Sequence, residues 1–151
     1  MGSDAGDSDE RPVHQVYLDA YYIDQYEVTN AQWNAYAAAT GESRKSATAN
    51  HPVVNLSWNE AQSYCAWAGL SLPTEAEWEK AARGAHDDRL YPWGDELDCR
   101  RANFGRSLKG RGLCVTVNPG KPTPPGRYSD GVSPYGVHDM GGNVWEWVAG
   151  W

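Results

Sequence analysis

After Gly84 the sequence loses all regular periodicity, and this limits the fold more than any other feature. "YPWGD", "ANFGRSLKGRG", "NPGKPTPPG" and "SDGVSPYG" read as successive turns. A loop region of this length in a compact domain is either disordered or fixed by something other than a ladder of backbone hydrogen bonds. Tryptophan and tyrosine recur through it, which argues against disorder. A disulfide or a bound metal ion is the expected fastener.

Aromatic usage points the same way. The chain has eight Trp and nine Tyr against one Phe. Trp and Tyr carry an N–H or O–H that Phe lacks, so an interior built from them must bring those donors to backbone acceptors or to the surface. An irregular, loop-rich interior does this more readily than stacked regular layers.

The first half is more regular. Val16, Leu18 and Ala20 alternate with Tyr17 and Asp19, the period of a half-buried strand, and "YYIDQYEV" continues extended. Three helices follow, each with a start signal. "TNAQ" at Thr29, "SWNE" at Ser57 and "TEAE" at Thr74 have the capping-box form, a hydroxyl followed three residues later by Gln or Glu. Apolar residues recur at helical spacing after each: Trp33, Tyr36 and Ala37; Ala61, Tyr64, Cys65 and Ala68; Trp78, Ala81 and Ala82. Gly41, Gly69 and Gly84 stand where left-handed caps would close these helices.

With 151 residues the chain fits a single domain, 1–151, with a core of its own. Twenty acidic and thirteen basic residues give a net charge of −7. No Lys/Arg cluster is present to neutralise a row of phosphates, so nucleic acid is a poor partner and a cation a better one. No apolar run approaches the ~18 residues of a membrane span, and the acidic start "MGSDAGDSDERP" does not have the form of a secretion signal.

The stretch "HDMGGNVWEW" carries the chemistry. Asp139 and Glu146 are hard oxygen ligands seven positions apart, and Gly141-Gly142 lets the chain fold back so that carbonyls between them can face one point. Calcium accepts such an irregular set of carboxylates and carbonyls. The spacing alone leaves a second reading open, in which Asp139 caps a turn and Glu146 receives a tryptophan N–H or an arginine.

Other chemistries find less support. His14, His51, His86 and His138 lack zinc-ligand spacing, although His138 adjoins Asp139. "GGN" lacks the lysine and hydroxyl of a phosphate loop. Ser57 is a helix cap and Ser71 a turn residue before either is a nucleophile. Of three cysteines, Cys65 reads as a small apolar core residue. Cys99 and Cys114 enclose a loop for which a disulfide would be worth ~3 kcal/mol; two free thiols, or pairing with residues outside the chain, stay open beside that reading.

"YYIDQYEVTNAQWNAY", "HPVVNLSWNEAQSYCAWAGLSLPTEAEWEKAARG", "YPWGD", "ANF" and "SPYGVHDMGGNVWEWV", in that order, resemble the formylglycine-generating enzyme or sulfatase-modifying factor family over nearly the whole chain. The resemblance implies an α+β, C-type-lectin-like domain, largely irregular, with short helices, few strands and structural calcium. It places one calcium ion on Asp139, the carbonyls of Gly142 and Val144, and Glu146. A second is implied at Asn103 and the Phe104 carbonyl, although "GRSLKGRGLCVTVNPG" offers no clear acidic residue to complete it. Position 71 holds Ser where the family usually has Arg.

The family's activity is conversion of a sulfatase cysteine to formylglycine by a copper-dependent oxidase. The resemblance places the copper-binding cysteine pair downstream of "GNVWEW", so no catalytic residue is assigned in this chain, and copper is expected only with cysteines from a further segment. The domain is expected to be incomplete at both ends. A C-terminal segment, a second chain or self-association would then cover its exposed apolar surface, and a sulfatase-like peptide is the implied substrate. Three classes of function follow: an oxidase fragment inactive by itself, a lectin-like ligand- or protein-binding module, and an accessory domain of a larger regulatory protein.

Overall fold

The computed structural model describes residues 1–4, 8–45, 47–85, 89–104 and 120–150. Three helices carry its regular structure: α1 (Asn30–Thr40), α2 (Trp58–Trp67) and α3 (Glu75–Arg83), with single 3-10 turns at Ser8–Glu10 and Ser129–Gly131. All three predicted capping boxes are present in both directions. In α3, for example, the Thr74 N–H donates to Glu77 Oε2 at 2.7 Å while the Glu77 N–H donates to Thr74 Oγ1 at 3.3 Å. Each box satisfies two donors that a helix start leaves unpaired, which is why three residues of sequence were enough to place it.

The helix ends follow the sequence at α1 and α2 and depart from it at α3. Gly41 closes α1 in the left-handed conformation as expected. α2 also closes as expected at Gly69, left-handed at φ 74°, whose N–H donates to the Ala66 carbonyl at 3.2 Å while the Leu70 N–H donates to the Cys65 carbonyl at 2.8 Å; Ala68, expected on the inward face, is exposed. Gly84 has a positive φ, but its ψ of 172° sends the chain out extended.

Among the described residues only two isolated bridges occur, Thr29 with Pro52 and Tyr91 with Gly94. The run around Val16–Ala20, expected as a strand, is unbent but has no partner strand among the described residues. Alternating side chains prepare a strand; only a neighbouring strand makes one.

Two apolar clusters hold the fold. Trp33, Tyr36, Ala37 and Tyr64 form one between α1 and α2, joined by Val28, Val53, Leu56 and Cys65. Trp33 meets Tyr36 edge-on at 5.0 Å between ring centroids, and Tyr36 meets Tyr64 edge-on at 5.7 Å. Ala81, Ala82, Val137 and Met140 form the second beneath α3, with Ile23 and Trp78. Four tryptophan N–H groups reach backbone carbonyls, in keeping with the composition: Trp33 to Ser43 at 3.0 Å, Trp58 to Val148 at 2.8 Å, Trp93 to Glu96 at 3.0 Å and Trp147 to Leu56 at 2.9 Å.

The described loops are pinned by side chains instead of by a ladder. Buried Asn30 donates from Nδ2 to the carbonyls of Thr48, His51 and Pro52. Arg101 donates to the Asp130 carbonyl at 2.8 Å, and Gly131 lies so close to the Arg101 carbonyl that a Cβ there would stand 1.7 Å from the oxygen. Tyr91 and Trp93 stack at 5.3 Å with Phe104 edge-on to both. Cys99 is disulfide-bonded, whereas Cys114, its expected partner, lies outside the described residues, as does His86. Cys65 is a free thiol packed against the first cluster.

Candidate functional site

The chain reverses at Asp139–Asn143 through two left-handed residues, Asp139 at φ 61° and Asn143 at φ 67°. Aspartate and asparagine occupy this region more readily than other non-glycine residues, so the turn is compatible with its sequence. The Gly142 N–H donates to the Asp139 carbonyl at 3.0 Å, and the Asn143 N–H to the Asn103 carbonyl at 2.9 Å. Gly142 is required by contact, since a Cβ there would sit 2.7 Å from the Asn103 oxygen. The two segments singled out in the sequence, around Asn103 and Asp139–Glu146, are therefore packed backbone to backbone.

Asn143 ties them together. Its Oδ1 accepts from Asn103 Nδ2 at 3.1 Å and from the Thr123 N–H at 2.8 Å. Its Nδ2 donates to the Thr123 carbonyl at 3.1 Å and to Glu27 Oε2 at 2.7 Å. The amide orientation follows from this network, because only the nitrogen can donate to a carboxylate.

Three carboxylates share the neighbourhood: Glu27, Asp139 and Glu146. Asp139 is 5% exposed and accepts from the Gly126 N–H at 2.6 Å through Oδ2. Glu146 accepts from Trp78 Nε1 at 2.5 Å through Oε2. Although its residue surface is open, its carboxyl lies on a groove crowded by protein atoms, and this environment decides its chemistry. Burial raises the carboxyls of Asp139 and Glu146 above the ordinary carboxylate range, with the Asp139 charge adding to the rise at Glu146. At Glu27, burial first and then the charges of Asp139 and Glu146 push the carboxyl up to about 8, although hydrogen bonding to Asn143 opposes the rise.

Oxygens remain available. Glu27 Oε1 is buried with no hydrogen-bond partner. Among the described residues the second oxygens of Asp139 and Glu146, and the carbonyls of Gly142 and Val144, accept no hydrogen bond. Mutually repelling carboxylates with spare oxygens form a set that a hard cation relieves. No group of three or more His, Cys, Asp and Glu side chains converges as a metal cage among the described residues.

Of the two sequence readings of this loop, the geometry shows the hydrogen-bonded one: Asp139 closes a turn and Glu146 receives a tryptophan N–H, each with the other oxygen spare. Asn103 is buried and donates to the Lys121 carbonyl at 2.9 Å as well as to Asn143. Phe104 contributes its ring to the Tyr91–Trp93 cluster. Residues 105–119, from which a further ligand at Asn103 and Phe104 would come, lie outside the described residues. His138 stacks on Tyr26 at 4.8 Å, and His14 and His51 bond to Pro12 and Asn50 nearby.

Sequence reading missed Glu27 and the role of Asn143. Glu27 shares the inward parity of Tyr21 and Ile23 in "YYIDQYEV", and that was the available signal. Nothing local marks Asn143, whose partners are 20, 40 and 116 positions away.

The family described as "Sulfatase-modifying factor enzyme 1-like domain" matches residues 1–151. The serine/threonine-protein kinase pkn1 of Chlamydia caviae is 35% identical over 174 residues, covering 99% of this chain and 26% of that protein. The formylglycine-generating enzyme of Mus musculus is 30% identical over 195 residues, covering 94% of this chain and 52% of the enzyme. The inactive C-alpha-formylglycine-generating enzyme 2 of Bos taurus is 44% identical over 103 residues, covering 65% of this chain and 32% of that protein. The chain thus spans about a quarter of the kinase and about half of the mouse enzyme. With its short helices and matching motifs, and almost no strand among the described residues, the chain belongs to the sulfatase-modifying factor, formylglycine-generating-enzyme-like domain family.

Proposed function

We propose that this chain is a calcium-stabilised, C-type-lectin-like domain that does not itself perform formylglycine formation. Asp139, the carbonyls of Gly142 and Val144, and Glu146 would hold one calcium ion, and Asn103 with the Phe104 carbonyl would begin a second site. The reading rests on the three repelling carboxylates, each with one oxygen free of hydrogen bonds. When bound, the ion supplies charge that lets these acids ionise inside a crowded loop. The chain's own residues set the geometry: Asn143 fixes the turn, Trp78 aims Glu146 and Gly126 aims Asp139.

Copper oxidase chemistry needs a cysteine pair. Cys65 is a free thiol whose deprotonation burial and Asp24 both disfavour, and Cys99 is already bonded. Copper, and a sulfatase-like peptide as substrate, would therefore call for cysteines from a further segment. A non-catalytic ligand- or protein-binding role is the second reading, favoured by the likeness to a protein named as inactive and by the match to a minor part of a kinase.

The test is a thermal melt of metal-free protein with added calcium. Binding to the folded state alone stabilises by RT ln(1 + [Ca]/Kd), ~2.7 kcal/mol at a hundredfold excess over Kd. Glu146→Gln keeps an oxygen for Trp78 and loses the charge, so its calcium-dependent shift should shrink while its metal-free melt stays close to the parent. A calcium shift absent from the parent, or unchanged in Glu146→Gln and Asp139→Ala together, would overturn the assignment.

A further inference from the structure

Trp78 lies in the first half of α3, where its main-chain N–H donates to the Thr74 carbonyl at 2.9 Å and its side chain packs against the second apolar cluster. α3 starts at a capping box, so the indole is mounted on a fixed helix end. From there Nε1 donates to Glu146 Oε2 at 2.5 Å, across 68 positions. A hydrogen bond to an ionised acceptor is short and roughly twice as strong as a neutral one. Oε2 therefore already faces a partial positive charge, and Oε1 is the oxygen left uncommitted. Asp139 is held in the same manner, with Oδ2 accepting from the Gly126 N–H at 2.6 Å.

These two bonds bear on which cation the loop prefers. Calcium accepts about six to eight oxygens in flexible geometry and commonly takes both oxygens of a carboxylate. Magnesium is smaller, demands a near-octahedral shell and keeps several waters, which a two-oxygen carboxylate chelate does not suit. With one oxygen each from Asp139 and Glu146, and the carbonyls of Gly142 and Val144, the loop offers four protein oxygens. Four oxygens completed by water suit magnesium nearly as well as calcium.

We propose that Trp78 is a specificity-determining residue for this loop: its N–H keeps Glu146 to one oxygen toward the ion, so calcium is separated from magnesium only weakly, and freeing Oε2 turns the loop toward calcium. The inference rests on the calcium reading above and deepens it, since a ligand set alone does not say how many oxygens each acid gives. Trp147 supplies the control. Its Nε1 donates to the Leu56 main-chain carbonyl at 2.9 Å and not to a carboxylate, although it stands next to Glu146 in the chain.

The experiment titrates calcium and magnesium separately into metal-free parent, Trp78→Phe and Trp147→Phe by calorimetry. The quantity read is the ratio of the two dissociation constants, because protonation of a Glu146 that has lost its donor weakens both ions alike. Trp78→Phe should raise the advantage of calcium over magnesium roughly tenfold, the weight of one charge-assisted hydrogen bond. Trp147→Phe should leave the ratio at the parent value. Infrared difference spectra of the calcium-loaded parent read the coordination without relying on Trp78→Phe folding: the carboxylate stretches that Glu146→Gln abolishes should be widely split, as for one-oxygen binding, and not narrowly split, as for a chelate. An unchanged ratio in Trp78→Phe, an equal rise in Trp147→Phe or a narrow splitting from Glu146 in the parent overturns the role of Trp78 and leaves calcium binding in place. A parent that binds neither ion overturns the calcium reading and this inference together.

Discussion

Asn143 Nδ2 donates to Glu27 Oε2 at 2.7 Å across 116 positions of sequence. This contact joins the first aromatic run to the last turn, and through Asn143 Oδ1 it reaches Asn103 and Thr123. This one amide thus links Glu27, Asn103 and Thr123 to the turn.

Asn143→Ala should therefore destabilise the chain by about 2 kcal/mol or more, since each buried polar partner left unpaired costs ~1–3 kcal/mol. Asn143→Gly keeps the positive φ and loses the same bonds. Chemical denaturation of both variants separates the two effects: similar losses assign the cost to the hydrogen bonds, and a much smaller loss in Asn143→Gly assigns it to the backbone.

Glu27 makes metal-free stability depend on pH. Its carboxyl is raised from 4.5 to about 8 in the folded chain, so between these values the folded state holds a proton that the unfolded state has released. That contribution is fully present below 4.5 and is lost as pH rises through about 8. Asp139 and Glu146, both raised, act in the same direction. Melting temperature without divalent cations should fall across this window, Glu27→Gln should flatten the fall, and calcium should offset it. A melt that rises with pH in the parent would contradict the burial of these acids.

Gly142→Ala places a Cβ against the Asn103 carbonyl at 2.7 Å. Overpacking of this kind costs ~1–3 kcal/mol. Since the clash separates the Asn103 and Asp139 segments, calcium affinity should fall along with stability. Titration calorimetry on the variant at low temperature, where it stays folded, reads the affinity directly, and unchanged affinity would show the segments to be independent.

Thr74→Ala removes the hydroxyl half of the α3 capping box. The expected cost is ~1 kcal/mol, a fall in Tm of about 2–4 °C for a domain of this size. Thr74→Ser should restore most of it.

Sequence by itself determined whatever is settled within a few positions. Three helix starts were legible because a capping box closes over three residues, and the inward faces of α1 and α3 were legible because helical periodicity is local. The donors of the tryptophans demanded acceptors whatever the topology, and the motifs from "YYIDQYEV" to "GNVWEW" identified the family. Tertiary structure decided the rest. Among the described residues it left Val13–Asp24 without a strand partner, turned Ala68 outward, and brought Trp78 to Glu146 across 68 positions. It also gathered Glu27, Asp139 and Glu146 and set Asn143 among them. Long-range contacts carry no periodic mark in the chain, because a carboxylate or amide looks the same in sequence whether its partner is water or a residue 116 positions away.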